Sequence, residues 1–323
     1  MSYHILLASK ENFEICIKKG VYGAVNSSSN KLNAEVISCT LGIKQGDFIF
    51  FYVKNIGIYG LWRVTTPPFY DEEKIWQDKN QKYPFRFCFE PVIRKFTKPV
   101  ALSDILDLRD KGKIWTFDFG SLTMKNQYTV TTDEGKEIIR LLLRNNPVFI
   151  PAEQIKNPYK PKEPKFIPLL LECDNQGRIK YEGFLNAWFM KSFSDNKLKD
   201  LIGDYKDFIN YVPTSFNKVM DIFLTHVTPI DSVEILHKFT CIELKTDIVT
   251  EENLKQIIRY ENWLIRKLAD GDSEMVQSIL VGFDFDERVL NYREKRKLIE
   301  EKSVRLIKYR VDRERNDILL EEV

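Results

Sequence analysis

The sequence Cys241-Ile-Glu243-Leu-Lys245 sets an acid and a base inside an apolar run, and that placement limits the folds open to the chain. Side chains alternate across a strand, so Glu243 and Lys245 share one face while Ile242 and Leu244 turn into the core. Residues 217–224 form a second apolar run, which holds Asp221. If the two runs pair as a hairpin, Asp221 reaches the same side, and its separation from Glu243 (243 − 221 = 22) leaves room for a long turn. Residues 251–270 then carry Leu254, Ile257, Ile258, Trp263 and Leu264 at helical spacing. Gln256 and Tyr260 lie four apart on one face of that helix. Two carboxylates and an ammonium at one point are what a metal-dependent phosphodiesterase needs. Carboxylate oxygens hold a hard cation such as Mg2+ or Mn2+, and the lysine steadies an attacking water or the developing negative charge.

The remaining pattern supplies a frame for this cluster. Residues 181–193 read as an amphipathic helix whose first turn holds Glu182, and residues 207–212 as a strand. After the long helix come a buried strand at 277–283, a charged helix at 286–301 and a last strand at 304–311. The order is that of an α/β core. Residues 228–231 read as a loop and 312–322 as a solvated end. Upstream, Pro158, Pro161 and Pro164 alternate with Lys160, Lys162 and Lys165, a composition that removes backbone donors and favours an extended chain. Residues 151–165 are therefore expected to be a linker between a domain at 1–150 and a second at 166–323. The first half mixes short strands (3–8, 20–25, 48–53, 57–64, 83–92) with helices (10–19, 33–41, 101–109, 134–143) and lacks regular βαβ crossovers. A curved, barrel-like mixed sheet follows from that order. Residues 71–82 read as a polar, helix-prone insertion carrying Trp76. The whole chain is thus α/β in the broad sense, α+β in its first half.

Composition excludes several classes. A net charge of +2 gives no bulk basic field, so contacts with nucleic acid must come from local groups such as Lys18, Lys19, Arg86, Arg94 and Lys95. The five cysteines are scattered singly and the three histidines lack ligand spacing, so any metal is expected on oxygen. No apolar run approaches the ~20 residues of a membrane span, and no secretory signal opens the sequence, which reads as cytoplasmic.

Two resemblances sharpen these expectations. Gly20-Val-Tyr22-Gly23, Lys31-Leu-Asn33-Ala34, Gly46-Asp47, Gly60-Leu-Trp62-Arg-Val64, Trp76 and Tyr83-Pro-Phe-Arg-Phe87 occur in that order over residues 3–143. Together they resemble the EVE/YTH group of the PUA-like superfamily. The resemblance implies a modified nucleotide, flipped or single-stranded, bound in an aromatic cage. Tyr22 falls where YTH domains carry the first cage tryptophan, a departure that keeps a π face. Trp76 falls near the later cage tryptophan, and Ser9 lies close to the polar cage positions. Stacking is worth ~1–3 kcal/mol per base, against a few kcal/mol to extrude it. The competing reading makes Tyr22 and Trp76 core aromatics, as Trp62 is expected to be.

Asp221, Glu243-x-Lys245 and Gln256-x3-Tyr260, within residues 178–311, resemble the PD-(D/E)xK nuclease superfamily, in the branch with RecB-type and NucS-like enzymes. That resemblance implies a restriction-endonuclease-like core in which Asp221, Glu243 and the Leu244 carbonyl hold Mg2+ or Mn2+. Lys245 would act on water, Gln256 and Tyr260 would brace it, and Glu182 would assist. Asp231 is a rival for the first acidic position, and Asp247 an accessory carboxylate. The competing reading makes Glu243 and Lys245 a surface ion pair. The combined expectation is a modification-dependent endonuclease acting on DNA that carries a modified base, with a homodimer serving a duplex cut. Two alternatives stand beside it: a repair or RNA-processing nuclease that grips single strands, and a non-catalytic binding protein with a decayed nuclease fold.

Overall fold

The computed structural model of the protein describes residues 1–78, 81–119 and 125–323, which divide into a unit of Met1–Pro168 and one of Leu169–Val323. Along the first run β1 (Tyr3–Ala8), α1 (Lys10–Lys19), β2 (Val21–Asn26), α2 (Asn30–Leu41), β3 (Phe48–Val53), β4 (Gly57–Val64), β5 (Phe69–Tyr70) and β6 (Lys82–Pro91). They are followed by α3 (Leu102–Asp110), β7 (Gln127–Val130) and α4 (Thr132–Asn145). The sheet has the order β2-β6-β4-β3-β1-β7, with β5 paired to β6. Only β1 and β3 run parallel among these pairings. The sheet curls. Tyr22 on the edge strand β2 donates its hydroxyl to the Asn126 carbonyl, just before the opposite edge strand β7, at 3.0 Å.

Local sequence explains the joints of this unit. Ser9 caps α1 by accepting from the Asn12 amide, and Gly20 ends it in the left-handed region at φ 64, where a Cβ would meet the Phe89 carbonyl at 2.8 Å. Thr131 and Glu134 form a capping box that starts α4. Ile5, Phe50, Ile58, Val130, Ile138 and Leu142 are fully buried between sheet and helices, each contributing about 1.5–3 kcal/mol. Two expectations change here. Residues 71–78 form no helix, and 79–80 of the same stretch lie outside the described residues. Residues 151–165 are extended but pinned to the first unit at α1, β5 and the segment after β6. The Ala152 amide donates to the Ile93 carbonyl, the Tyr159 amide to Lys19, and Lys165 exchanges both backbone bonds with Tyr70. Proline restricts such a segment to extended geometry, and three of its amides find carbonyls of the first unit.

The second unit contains α5 (Glu182–Ser194), α6 (Lys199–Ile202), β8 (Asp207–Pro213), β9 (Val219–Ile230), β10 (Val233–Leu244), β11 (Ile248–Val249) and α7 (Glu251–Leu268). Then come β12 (Val276–Gly282), β13 (Asp284–Phe285), α8 (Glu287–Glu300), β14 (Arg305–Asp312) and β15 (Asp317–Glu322). Its six-stranded sheet has the order β15-β14-β12-β10-β9-β8. Parallel strands β10, β12 and β14 lie in the middle, and antiparallel neighbours flank them. The hairpin expected to bring Asp221 beside Glu243 is present, with long strands closed by a tight turn at Asp231 and Ser232, both at positive φ (46 and 71), where a long turn was expected. Mirror-image turns of that kind match the twist of paired strands. Asp231 is thereby exposed at a hairpin tip, and its rivalry for the first acidic position ends. Residues 317–322, expected in a solvated end, add β15 to the sheet edge. No helix among the described residues is long and apolar enough to cross a membrane.

Candidate functional site

Each unit holds one candidate site. In the first, a cavity of about 490 Å³ opens between the C-terminal end of β1, the start of α1 and strand β2. Tyr22, Trp76 and Ser9, the three residues expected at the cage, all line it, together with Asn12, Tyr52, Tyr83, Phe119 and Asn126. Tyr22 and Trp76 are each only 4% exposed. Tyr22 packs against Phe51 and Phe87, with ring centres 6.2 and 5.5 Å away. Trp76 tilts against Tyr83 at 5.1 Å and comes so close to Gly23 that a Cβ there would lie 2.6 Å from the indole. Glycine at 23 is what lets the indole lie against β2. A second aromatic pair on the cavity, Tyr52 and Phe119, stacks at 4.2 Å and was not anticipated. Its only sequence signal is Tyr52 ending an aromatic strand, beside Leu7 in the parallel register with β1.

The basic groups expected on phosphate are partly committed elsewhere. Arg86 is 2% exposed and lies over the Trp76 ring at 5.3 Å. It donates to the Tyr83 carbonyl at 2.8 Å and the Tyr159 hydroxyl at 3.2 Å, and pairs with Asp71 at 3.5 Å. It buttresses the cavity wall from behind. Arg94 donates to the carbonyls of Asn146 and Val148. Trp62 is half-buried among Phe13, Phe51 and Phe89, in the packing role expected of it.

In the second unit, the six residues named for catalysis form one connected cluster built on Lys245 and Glu243. Lys245 Nζ lies 2.8 Å from Glu243 Oε1, 2.8 Å from the Leu244 carbonyl and 3.3 Å from Glu182 Oε2. Asp221 accepts from the Leu244 amide at 2.8 Å, and its own carbonyl accepts from the Asn186 side chain at 3.2 Å. Gln256 Nε2 donates to Glu243 Oε1 and to the Tyr260 hydroxyl, both at 2.7 Å, and that hydroxyl donates to the Val219 carbonyl at 2.9 Å. Helix α5 contributes Glu182, β9 Asp221, the end of β10 Glu243, and α7 the Gln256–Tyr260 pair. Glu243 is 1% exposed, Asp221 8% and the Lys245 side chain 23%, so the Glu243–Lys245 ion pair is largely buried. Asp247, the proposed accessory, instead accepts from Arg178 at 2.7 Å.

The electrostatics follow from this burial. Asp221 is held well above the ordinary carboxylate range, first by burial and then by the charges of Glu243 and Glu182. Burial also raises Glu243, against the pull of Lys245. Burial would lower the Lys245 ammonium, but Asp221, Glu243 and Glu182 outweigh it and hold it above its ordinary value. Glu243 Oε2 is buried with no hydrogen-bond partner among the described residues. Among those residues, no three His, Cys, Asp or Glu side chains are grouped to hold a metal ion. The donor chemistry nevertheless suits a hard cation: two carboxylates, one with a free buried oxygen, beside a backbone carbonyl.

Comparison with known proteins bears on the first unit. The EVE domain family matches residues 33–141, a stretch that includes Trp76 and begins after Tyr22. The N-terminal unit carries an EVE domain. The chain is 24% identical over 157 residues to UPF0310 protein PH1033 of Pyrococcus horikoshii, covering 44% of this chain and 100% of that one. It is 25% identical over 153 residues to UPF0310 protein PYRAB08750 of Pyrococcus abyssi, with 44% and 100% covered. Among solved structures, protein Atu2648 from Agrobacterium tumefaciens is 18% identical, with a TM-score of 0.29, and covers 46% of this chain and 97% of its own. The Mmi1 YTH domain complex with RNA is 17% identical, with a TM-score of 0.31 and coverages of 46% and 82%.

Proposed function

We propose that the chain is a modification-dependent DNA endonuclease: the EVE domain takes a modified base into the aromatic cavity, and the second unit hydrolyses the phosphodiester backbone. The observation that carries the reading is the meeting of Asp221, Glu243, Lys245, Gln256, Tyr260 and Glu182 at one point, from elements up to 78 positions apart (260 − 182 = 78). The EVE domain supports the base-binding half, and the cavity supplies it with stacking faces and polar walls. In the second unit Asp221, Glu243 and the Leu244 carbonyl would hold Mg2+ or Mn2+. That ion, when bound, polarises phosphoryl oxygens and makes water a stronger nucleophile.

The chain's own groups divide the remaining work. Lys245, whose ammonium lies against Glu243 and the Leu244 carbonyl, would orient the attacking water or donate to developing negative charge. Gln256 fixes Glu243 through Oε1 and leaves Oε2 free to bind. Tyr260 fixes Gln256 in turn and ties both to the backbone of β9. A duplex cut calls for two such sites, so the expected acting species is a dimer.

The test is a cleavage assay with Mg2+ or Mn2+ on matched DNAs with and without modified bases. Cutting confined to modified DNA and abolished by chelator is expected. Absence of cutting on every modified substrate, or undiminished cutting by the Glu243→Gln protein, would overturn the reading.

A further inference from the structure

One surface lies a single ring away from the carboxylate cluster. The turn between β8 and β9 is held by Thr214, whose hydroxyl and backbone amide both donate to the Lys218 carbonyl, at 2.8 and 2.9 Å. That fixed turn presents Phe216, half-buried, stacked on Tyr260 at 5.8 Å and edge-on to Trp263 at 6.4 Å. The exposed Arg259 guanidinium lies over the Phe216 ring, 4.5 Å from its centre, and Lys267 lies over Trp263 at 5.6 Å. On α7 these positions follow Gln256 at helical spacing and share its face. Neither Arg259 nor the exposed Lys218 forms a side-chain ion pair among the described residues.

An arginine whose guanidinium carbon sits over an aromatic ring still has N–H groups to donate. It is weakly hydrated, and the ring has already restricted its motion. Such a guanidinium suits a phosphate, to which it donates two parallel hydrogen bonds. We infer that Arg259, supported by Phe216 and accompanied by Lys218, binds a backbone phosphate of the nucleic-acid strand next to the one cut at the Glu243 cluster. The inference rests on the nuclease reading for the word "next". The contact itself is independent of base identity, so it serves modified and unmodified strands alike.

The experiment uses the full chain and the same matched DNAs. Affinity is measured over a range of salt with chelator present, and cleavage is followed separately with Mg2+. Arg259→Ala is expected to weaken binding of both DNAs about tenfold and to lower the salt slope by about one. Arg259→Lys should restore the salt slope but only part of the affinity, because an ammonium cannot donate the paired bonds, and Arg259→Glu should deepen the loss. In cleavage the change should fall on KM and leave kcat within about twofold. Unchanged affinity and salt slope in Arg259→Glu would overturn the inference. So would a lowered kcat with unchanged KM, which would mark a structural role through Phe216 and Tyr260. If the wild type cuts nothing while Arg259→Glu loses binding, the phosphate contact stands and the nuclease reading falls.

Discussion

The two candidate sites are buried to similar degrees, yet burial means opposite things in them. Tyr22 and Trp76 at 4% exposure stabilise the first unit as any core aromatic would, by removing apolar surface from water. Asp221 at 8% and Glu243 at 1% do the reverse: carboxylates in a sheet interior cost stability unless each is paired, and Glu243 Oε2 is not. A core needs aromatic rings whether or not a ligand exists. It has no need of carboxylates gathered on one lysine. The second site therefore declares itself by its energetic cost, and the first only by its cavity.

The largest effect that tests this contrast is on cutting. Glu243→Gln keeps the shape of the cluster and removes a charge, so cleavage should fall about a thousandfold or more with DNA affinity nearly unchanged. Single-turnover cleavage beside a binding titration reads both, and a parallel loss of affinity would show the cluster to be a binding feature only. The next effect concerns the first unit alone. A fragment of residues 1–168 should melt cooperatively, and one of residues 1–150 should be about 2–4 kcal/mol less stable, having lost the Lys165–Tyr70 backbone pair and the Tyr159–Arg86 contact. Equal denaturation midpoints would mean that the proline-rich stretch is only a connector.

Legibility in the sequence divides along the same line. Charged residues in apolar runs identified the cluster, because alternation and helical spacing fix which side chains share a face. Asp221, Glu243 and Lys245 were named from that logic, Gln256, Tyr260 and Glu182 were assigned to the cluster by the nuclease resemblance, and all six are found together. The tight turn that closes the expected hairpin at Asp231-Ser232 was missed because neither residue is glycine, so the positive φ angles left no mark. Strand β15 was missed because its charges mimic a solvated tail, although edge strands tolerate charge. Tyr52 and Phe119 were unreadable as cavity residues because aromatics of the cavity and of the core share one composition. The pinning of residues 151–165 was hidden for a similar reason: proline signals extension, not whether something lies alongside.

The cavity can be tested without disturbing the core. Trp76→Ala would remove a buried ring and cost ~3–5 kcal/mol of stability whatever its function, so it cannot separate the two roles. Tyr52 and Tyr83 line the same cavity and are half-buried. Tyr83→Ala and Tyr52→Ala should each cost ~1–3 kcal/mol of affinity for modified DNA, five- to 150-fold. Affinity for plain DNA should change little. Equal losses on both DNAs would make these rings general contacts, and no loss on either would leave the cavity without a role in binding.

The smallest effect bears on the energetic cost itself. The Asp221 carboxyl has a folded-state pKa above its ordinary 3.8, from burial and from the nearby Glu243 and Glu182 charges. Where the folded form holds its proton more tightly than the unfolded chain, the stabilising contribution is complete below about pH 4. It is lost as pH rises through the raised value. Asparagine keeps an oxygen for the Leu244 amide, which now donates to Asp221 Oδ2 at 2.8 Å, and, having no proton to lose, adds no charge against Glu243 and Glu182 as pH rises. Asp221→Asn should therefore abolish cleavage and yet stabilise the protein by about 1–2 kcal/mol at pH 8, with the gain shrinking toward zero near pH 4. Melting curves of both proteins across that range test it. A variant less stable than the wild type at pH 8, or a gain independent of pH, would mean that Asp221 is paid for within the fold by Lys245 and bears no functional strain.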